Sequence, residues 1–181
     1  MKLYKFTKQD ETTYGGSTKW GEGITHEKPV KANPYMCSPD VLHAYKNMNL
    51  AYLRNPIHAD ITSPILWEAE GDIVTEDFGK VGCFKLTTVK KLETPEWVGS
   101  TKATDVRVEF AILCAEAVLE NFESKYPDDK RPREAIEAAK NYLEGKGART
   151  AAAALTADAA AGLDFGDIAD KAVSLIMTND N

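Results

Sequence analysis

The clearest pattern in the chain is a pair of amphipathic helices joined by a short charged turn. From about Thr104 to Lys125, apolar residues recur three and four positions apart, which predicts a helix. Pro127 ends this helix, because the residue before a proline is pushed out of the α region. A second helix is predicted to begin at 129–132, where a proline fits the first turn, and to end at Gly145 as its C-cap.

Each of these helices has one apolar face that is predicted to be buried. On the first helix the predicted core residues are Val106, Phe110, Leu113, Ala117, Val118 and Phe122. On the second helix they are Ala135, Ile136, Ala139, Tyr142 and Leu143. Cys114 lies on the apolar side of the first helix and is also predicted to be buried.

Residues 1–97 show mainly the period-two alternation that is typical of β-strands. The predicted strands are 2–7, a short one within 24–32 that Pro29 interrupts, 65–70, 72–76 and 83–89. Gly71 and Asp72 predict a bulge or bend between two of them. Ser38-Pro39-Asp40 has the signature of a helix start, so a helix carrying Val41, Leu42, Tyr45 and Met48 is predicted. The pattern from 49 to 63 is unclear, with Pro56 interrupting it.

The end of the chain is again helical in pattern. An alanine-rich helix is predicted at 148–161, followed by a last helix that Asp164 or Asp167 caps. That helix carries Ile168, Ala172, Leu175 and Ile176. Because 93–100 reads as a loop, the domain border is placed there. The predicted fold is α+β: residues 1–97 form a small mixed or antiparallel sheet with one or two helices, and residues 98–181 form a bundle of about four helices.

Charge and cysteine content narrow the class of protein. Residues 98–181 carry about five more acidic than basic side chains. An acidic helical half does not favour direct nucleic-acid binding, which needs clustered Lys and Arg, but it suits a basic partner surface. Three scattered cysteines favour reduced thiols in a cytoplasm. No apolar run is long enough for a membrane span, so the expected location is the cytoplasm.

The turn between the two main helices is the first candidate binding site. Residues 128–134 hold three acids and three bases. Asp128, Asp129, Arg131 and Arg133 could form a recognition patch, with the arginines as anion ligands. The alternative is a solvated turn whose charges pair with each other and fix the helix crossing.

A second candidate lies in the Gly-rich stretch at 8–23, where Tyr14 and Trp20 either pin the loop or contact a partner. This stretch lacks the Gly-Lys-Ser/Thr ending of a phosphate-binding loop. A small ligand held there remains the alternative.

Catalytic and metal-binding motifs are not apparent. His26, His43 and His58 could join Cys37 or Cys83 in a metal site or a nucleophilic pair, but no CxxC, HExxH or GxSxG spacing is present. We therefore predict no catalytic residues, no metal and no cofactor, and a protein that is not an enzyme.

The helical pair also carries a family resemblance. The segments Cys114–Glu116, Phe122–Glu123, Lys125–Arg133 and Ala135–Ala139 resemble the Imm5-like immunity proteins. Members of that family are taken to bind and block a partner. The first half is loosely similar to a small phage-borne domain of unknown function. The shared features are the early Gly/aromatic loop, the Cys-x-Pro-x-Val-Leu segment at 37–42 and the strand at 67–74.

These observations lead to three functional hypotheses. The first is a phage or prophage accessory protein that binds and inhibits a macromolecular partner, for example a bacterial defence effector such as a CRISPR nuclease. The second is an immunity protein that neutralises a co-encoded toxin. The third is a small nucleotide-binding protein or enzyme that uses the Gly-rich loop.

Overall fold

The computed structural model describes residues 1–146 and 163–178, and the chain divides into two compact units. The first unit is Met1–Pro95 and the second begins at Glu96. The first contains an antiparallel sheet and one helix, and the second contains the remaining described helices. The predicted α+β class, with the sheet first and helices mostly after it, is confirmed. The predicted alanine-rich helix at 148–161 lies outside the described residues.

Seven strands and one helix make up the first unit. The strands are β1 (Lys2–Thr7), β2 (Thr12–Thr13), β3 (Thr18–Lys19), β4 (Thr25–Glu27), β5 (Leu42–Tyr45), β6 (Ile65–Asp77) and β7 (Lys80–Leu92), and the helix is α1 (Met48–His58). A 3₁₀ turn at Tyr14–Gly16 joins β2 to β3, which pair only with each other.

Four of these strands close into a ring. The order is β4-β7-β5-β1-β6, and β6 also pairs with β7. The β1–β6 ladder is long, with Leu3 opposite Ala69 and Lys5 opposite Trp67. The β1–β5 ladder consists of one pair, Tyr4 opposite Tyr45. The ring therefore has one weakly paired junction, between β1 and β5.

Strands β6 and β7 form a long hairpin whose register shifts at three positions, one of which was predicted from the sequence. The register shifts between Gly71 and Ile73, so the bulge predicted at Gly71-Asp72 is confirmed. The turn residues Phe78 and Gly79 both have positive φ, at 49° and 81°. Positive φ at both central residues is typical of the two-residue hairpin turn whose twist matches the twist of the two paired strands. One strand pair thus spans what the sequence pattern divided into shorter strands.

The helix predicted from Ser38-Pro39-Asp40 is wrong. Ser38 Oγ accepts the Asp40 amide hydrogen in a tight turn, 3.2 Å apart, and the chain continues as β5. Leu42 and Ala44 are buried and pair along β7, so sheet pairing prevails over the local helix signal. The helix begins later, where the Asn47 side chain accepts the amide hydrogen of Leu50. Pro56 lies inside that helix.

The core of the first unit is formed by buried residues of the four ring strands together with Trp20. Its buried members are Leu3, Trp20, Leu42, Ala44, Ala69, Val81, Cys83 and Leu86. The rings of Phe6 and of Tyr52 on α1 pack edge to face against each other, with their centroids 4.7 Å apart. Burial of these apolar groups is the main stabilising contribution to the unit.

Three helices are described in the second unit. They are α2 (Ala103–Lys125), α3 (Arg131–Leu143) and α4 (Phe165–Thr178). Both predicted helices of the pair are therefore confirmed, as is the last helix. Among the described residues, no helix is sufficiently long and apolar to cross a membrane.

Helix α2 packs against both of its described neighbours, so it has apolar residues on two sides. Val108 and Ile112 pack with Ile136 and Ala139 of α3. Val106 and Cys114 are buried, as predicted for both. The other predictions for this face and for α4 are confirmed only in part. Ala117 and Leu175 are exposed, and Phe110, Leu113, Val118, Phe122 and Ile168 are half-buried.

The helix ends follow the expected capping chemistry. Gly145 has φ 73°, its amide donates to Tyr142 O at 3.0 Å, and the Lys146 amide donates to Asn141 O at 2.8 Å. These two bonds are the Schellman motif, so the predicted C-cap is confirmed. Asp164 Oδ1 accepts the amide hydrogens of Gly166 and Asp167 at the start of α4. Asp164, one of the two predicted residues, is therefore the N-cap.

Candidate functional site

The turn between α2 and α3, residues 126–134, is called the elbow below. Arg131 donates from Nε and Nη2 to the two carboxylate oxygens of Asp129, at 2.9 and 2.6 Å. Arg133 donates in the same way to Glu123 of α2, at 2.8 and 2.6 Å. Both arginines are thus held by planar two-bond pairs. The Arg131–Asp129 pair fits the alternative in which the charges of the turn pair with each other, whereas Arg133 pairs with Glu123, which lies outside residues 128–134.

These pairs also change the protonation behaviour of the acids. Hydrogen bonds from Arg131 lower the pKa of Asp129 to about 2. Those from Arg133 hold the pKa of Glu123 below its ordinary value. Both carboxylates are therefore ionised at neutral pH. An anion competing for either arginine would have to displace a charged partner.

Sequence reasoning missed an aromatic residue on the elbow. The Tyr126 side chain is 58% exposed, and its ring lies 5.1 Å from that of Phe122, centroid to centroid. The sequence position of Tyr126 could have indicated its exposure, because the residue follows the last turn of α2 and precedes Pro127, where the helix ends. Three other elbow residues, Lys130, Arg133 and Glu134, line an open depression of about 510 Å³ together with Glu137, Ala138 and Asn141. The elbow therefore combines an exposed ring with a charged concave surface.

The two candidates in the Gly-rich loop have different placements. Only the backbone of Tyr14 is described, at the start of the 3₁₀ turn. Trp20 has no exposed surface, and its Nε1 donates to Thr13 Oγ1 at 2.8 Å. A side chain buried in the core pins the loop and cannot reach a partner while the core is intact. The placement of Trp20 thus supports its pinning role.

The histidines and cysteines do not gather in one place. His26 Nε2 hydrogen-bonds Lys19 O at 2.7 Å, and His43 Nε2 hydrogen-bonds Met36 O. Cys83 and Cys114 are buried, and Cys37 is exposed. In residues 1–146 and 163–178, no three His, Cys, Asp or Glu side chains are placed to share a metal ion.

A cavity lies in the first unit beside the weak junction of β1 with β5, and is called the β1–β5 cavity below. Its volume is about 280 Å³. The residues that line it are Lys5, Phe6, Lys8, Thr12, Thr13, Gly15, His43, Tyr45, His58, Ala59, Ile61 and Lys80. Part of the Gly-rich loop thus forms its wall. No aspartate or glutamate is among these lining residues.

Lys5 is the unusual member of this cavity. Its side chain is 7% exposed, and its ammonium lies 5.1 Å from the centroid of the Trp20 ring. Burial, and then the charge of Lys80, lowers the pKa of Lys5 to about 8. The alternating pattern of β1 placed Lys5 on the buried side with Leu3, but it gave no reason to expect a buried cation there.

The two imidazoles of the cavity are neutral at pH 7. His58 Nδ1 and the Tyr45 hydroxyl share a hydrogen bond of 2.8 Å, and their rings stack. Burial, and then nearby positive charge, lowers the pKa of His58 to about 4. The same two causes lower the pKa of His43, although its bond to Met36 O opposes them. Burial raises the pKa of Tyr45, so its hydroxyl keeps its proton.

Comparison with known proteins gives one match. Residues 100–173 match the model of the family described as Imm-5 like putative immunity protein. This span covers α2, the elbow, α3 and part of α4, which is less than half of the chain. No curated protein and no solved structure matches the chain. The resemblance predicted for 114–139 is thus confirmed as a family match, and the match does not reach the first unit. The helical half of this chain is similar to Imm-5 like immunity proteins.

Proposed function

We propose that the chain is an immunity-type protein whose helical unit binds and neutralises a protein toxin. The observation that carries the proposal is the family match at residues 100–173. The matched span includes the elbow, the part of the described helical unit that presents an exposed aromatic ring. The partner is therefore a protein, and the elbow is the contact surface.

The elbow has the physical properties of a prepared binding surface. Tyrosine is enriched among the residues that dominate interface energetics, and Tyr126 is exposed on the elbow, of which three other residues line a concave surface. The pairs Arg131–Asp129 and Arg133–Glu123 hold long side chains in one arrangement before any partner arrives. Fixing these side chains in advance reduces the entropy that is lost on binding.

The charge of the helical half indicates the chemistry of the partner. Residues 98–181 have about five excess negative charges. Complementary potentials accelerate association and favour partners of opposite charge. A toxin with a basic surface, such as one that acts on nucleic acid, fits this charge.

The test is rescue of growth by the full-length chain. Each toxin domain encoded next to the gene for this chain is expressed in bacteria, alone and together with the wild-type protein. We expect the wild type to restore growth and Tyr126→Ala to weaken both rescue and binding. Tyr35→Ala is the matched control, because Tyr35 is a 68% exposed tyrosine in the first unit. Equal rescue by Tyr126→Ala and Tyr35→Ala would mean that the contact surface lies outside the elbow.

Failure of the wild type to rescue growth, with both proteins detected in the cells, would overturn the immunity role. The counter-defence role predicted from the sequence then becomes the alternative. It remains a prediction that depends on the phage-like resemblance of the first half. Its own test is phage infection of hosts that carry a defence nuclease, with and without the gene for this chain.

A further inference from the structure

The β1–β5 cavity concentrates positive charge without a compensating acid in its wall. Lys5, Lys8 and Lys80 all line it. No described carboxylate forms an ion pair with any of these three lysines, whereas many other lysines of the first unit have one, such as Lys46 with Glu76 at 2.6 Å. Of the three, Lys5 is buried and Lys80 is half-buried, and buried positive charge without a counter-charge is costly, so the cavity is suited to an anion that supplies that charge.

The same wall supplies neutral hydrogen-bond donors. Thr13 provides a hydroxyl group, and the Tyr45–His58 pair keeps one N–H or O–H beyond the hydrogen bond that its members share. The Thr12 hydroxyl donates to Asp10 Oδ1 and His43 Nε2 donates to Met36 O, so these two groups are already used. A phosphate group has several acceptor oxygens and two negative charges near neutral pH, so it needs both cations and neutral donors. Phe6 and Tyr45 add apolar surface beside these polar groups. The volume of about 280 Å³ suits a small ligand.

We propose that the β1–β5 cavity binds a small molecule that carries a phosphate group, with Lys5 and Lys80 as the principal charged contacts. This site belongs to the first unit and is independent of the toxin-binding surface proposed for the elbow. It gives the Gly-rich loop a role, because Thr12, Thr13 and Gly15 form part of the wall. Lys5 is the central residue, since it is more than nine-tenths buried and lines the cavity.

The site makes a prediction about pH. Lys5 faces the positive charge of Lys80 from β7, and His58 faces Lys80, Arg54 of α1, His43 of β5 and the opposing charge of Asp77 on β6. Lys5 is protonated below about pH 8 and loses its charge above it. Affinity for an anion is therefore full at pH 7 and falls about tenfold by about pH 9, because only about one Lys5 in ten is then protonated.

The experiment is calorimetric titration of the full-length protein. Sulfate is the probe for the pH series, because its charge is constant from about pH 6 to about pH 9. Inorganic phosphate, glycerol 3-phosphate and succinate are then compared at pH 7. We expect saturable binding of sulfate, phosphate and glycerol 3-phosphate and much weaker binding of succinate. Lys80→Gln should weaken phosphate binding about tenfold, as loss of one charged hydrogen bond predicts.

The matched control is Lys91→Gln, which removes one exposed lysine from the same strand outside the cavity. Lys91→Gln should change phosphate affinity less than about twofold. If both variants weakened binding equally, the effect would come from the net charge of the protein, and the proposed site would be wrong. Lys8→Gln gives a second cavity variant at an exposed position, in case Lys80→Gln fails to fold. Absence of saturable binding to the wild type, or succinate binding as tightly as glycerol 3-phosphate, would also overturn the proposal.

Discussion

Arg133 of α3 donates two hydrogen bonds to Glu123 of α2, so that one ion pair joins the two helices next to the elbow. Arg133 is exposed and Glu123 is half-buried, so the pair lies at the surface, where ion pairs are weakly stabilising and sensitive to salt. We expect Arg133→Gln and Glu123→Gln each to lower Tm slightly and non-additively at low ionic strength. In about 1 M NaCl this coupling should disappear.

A double-mutant cycle in thermal unfolding measures the coupling. Lys146→Gln with Glu144→Gln is the matched control, because that pair joins neighbouring residues at the end of one helix and does not connect two helices. A coupling between Arg133 and Glu123 that persists unchanged at high salt would contradict a screened surface pair.

Lys5 should make the stability of the protein depend on alkaline pH. Its pKa of about 8 in the folded state lies below the ordinary 10.5, so between these values the unfolded chain binds more protons. Stability therefore rises with pH in this window. Lys5→Met removes a buried charge, and we expect it to raise the free energy of unfolding at pH 7 by about 1–2 kcal/mol and to flatten the pH dependence.

Urea unfolding at several values between about pH 7 and about pH 9.5 tests this expectation. Lys2→Met is the control, because Lys2 is on the same strand but its side chain is 56% exposed. It should leave the slope of stability against pH unchanged in this range. Identical slopes for the wild type and Lys5→Met would show that Lys5 does not titrate there.

Gly79 is required both for its backbone angle and for the space beside it. Its φ is 81°, and a Cβ at this position would collide with the Leu50 side chain. Gly23 has a similar φ of 71° but nothing within 4 Å of an added Cβ. We expect Gly23→Ala to cost about 1 kcal/mol from backbone strain alone, and Gly79→Ala to cost at least about 2 kcal/mol.

The two alanine variants are compared by urea unfolding under one set of conditions. Their difference isolates the collision with Leu50, because both positions share the left-handed backbone. Equal losses of stability would mean that helix α1 moves aside without cost.

Thiol labelling of the folded protein should occur at one cysteine. Cys37 is exposed, while Cys83 and Cys114 are buried. Burial raises the pKa of Cys83 to about 11, which lowers its thiolate fraction as well as its access. Mass spectrometry after brief iodoacetamide treatment should show one modification, on Cys37, and three after unfolding in urea. Rapid labelling of Cys83 without denaturant would contradict its placement in the core.

The elements that could be predicted from the sequence are those whose signals are local. Pro127, Pro132 and Gly145 set the helix bounds of the pair through their own backbone preferences, and the structure follows them. The alternation of β1 and the bulge at Gly71 were equally local. The helix predicted at 38–48 was wrong because Leu42–Tyr45 pairs with residues far along the chain. That pairing cannot be read from the sequence of the segment itself.

The two candidate sites differ in the same way. The charged residues of the elbow are close in sequence, so a turn of paired charges could be anticipated from the pattern alone. The β1–β5 cavity joins Lys5, His43, His58 and Lys80, which come from four separate elements. Each of these residues looks ordinary in its own segment. Only the closure of the sheet brings the cations together.

The order of strands in the ring affects how the first unit can assemble during translation. Strand β1 leaves the ribosome well before β6, yet its long ladder is with β6, where Leu3 lies opposite Ala69. Strands β6 and β7 are joined by a two-residue turn and can pair as soon as both have emerged. The nascent chain therefore exposes β1 without its main partner until most of the unit has been synthesised. An early chaperone contact at 2–7 would protect the chain during that interval.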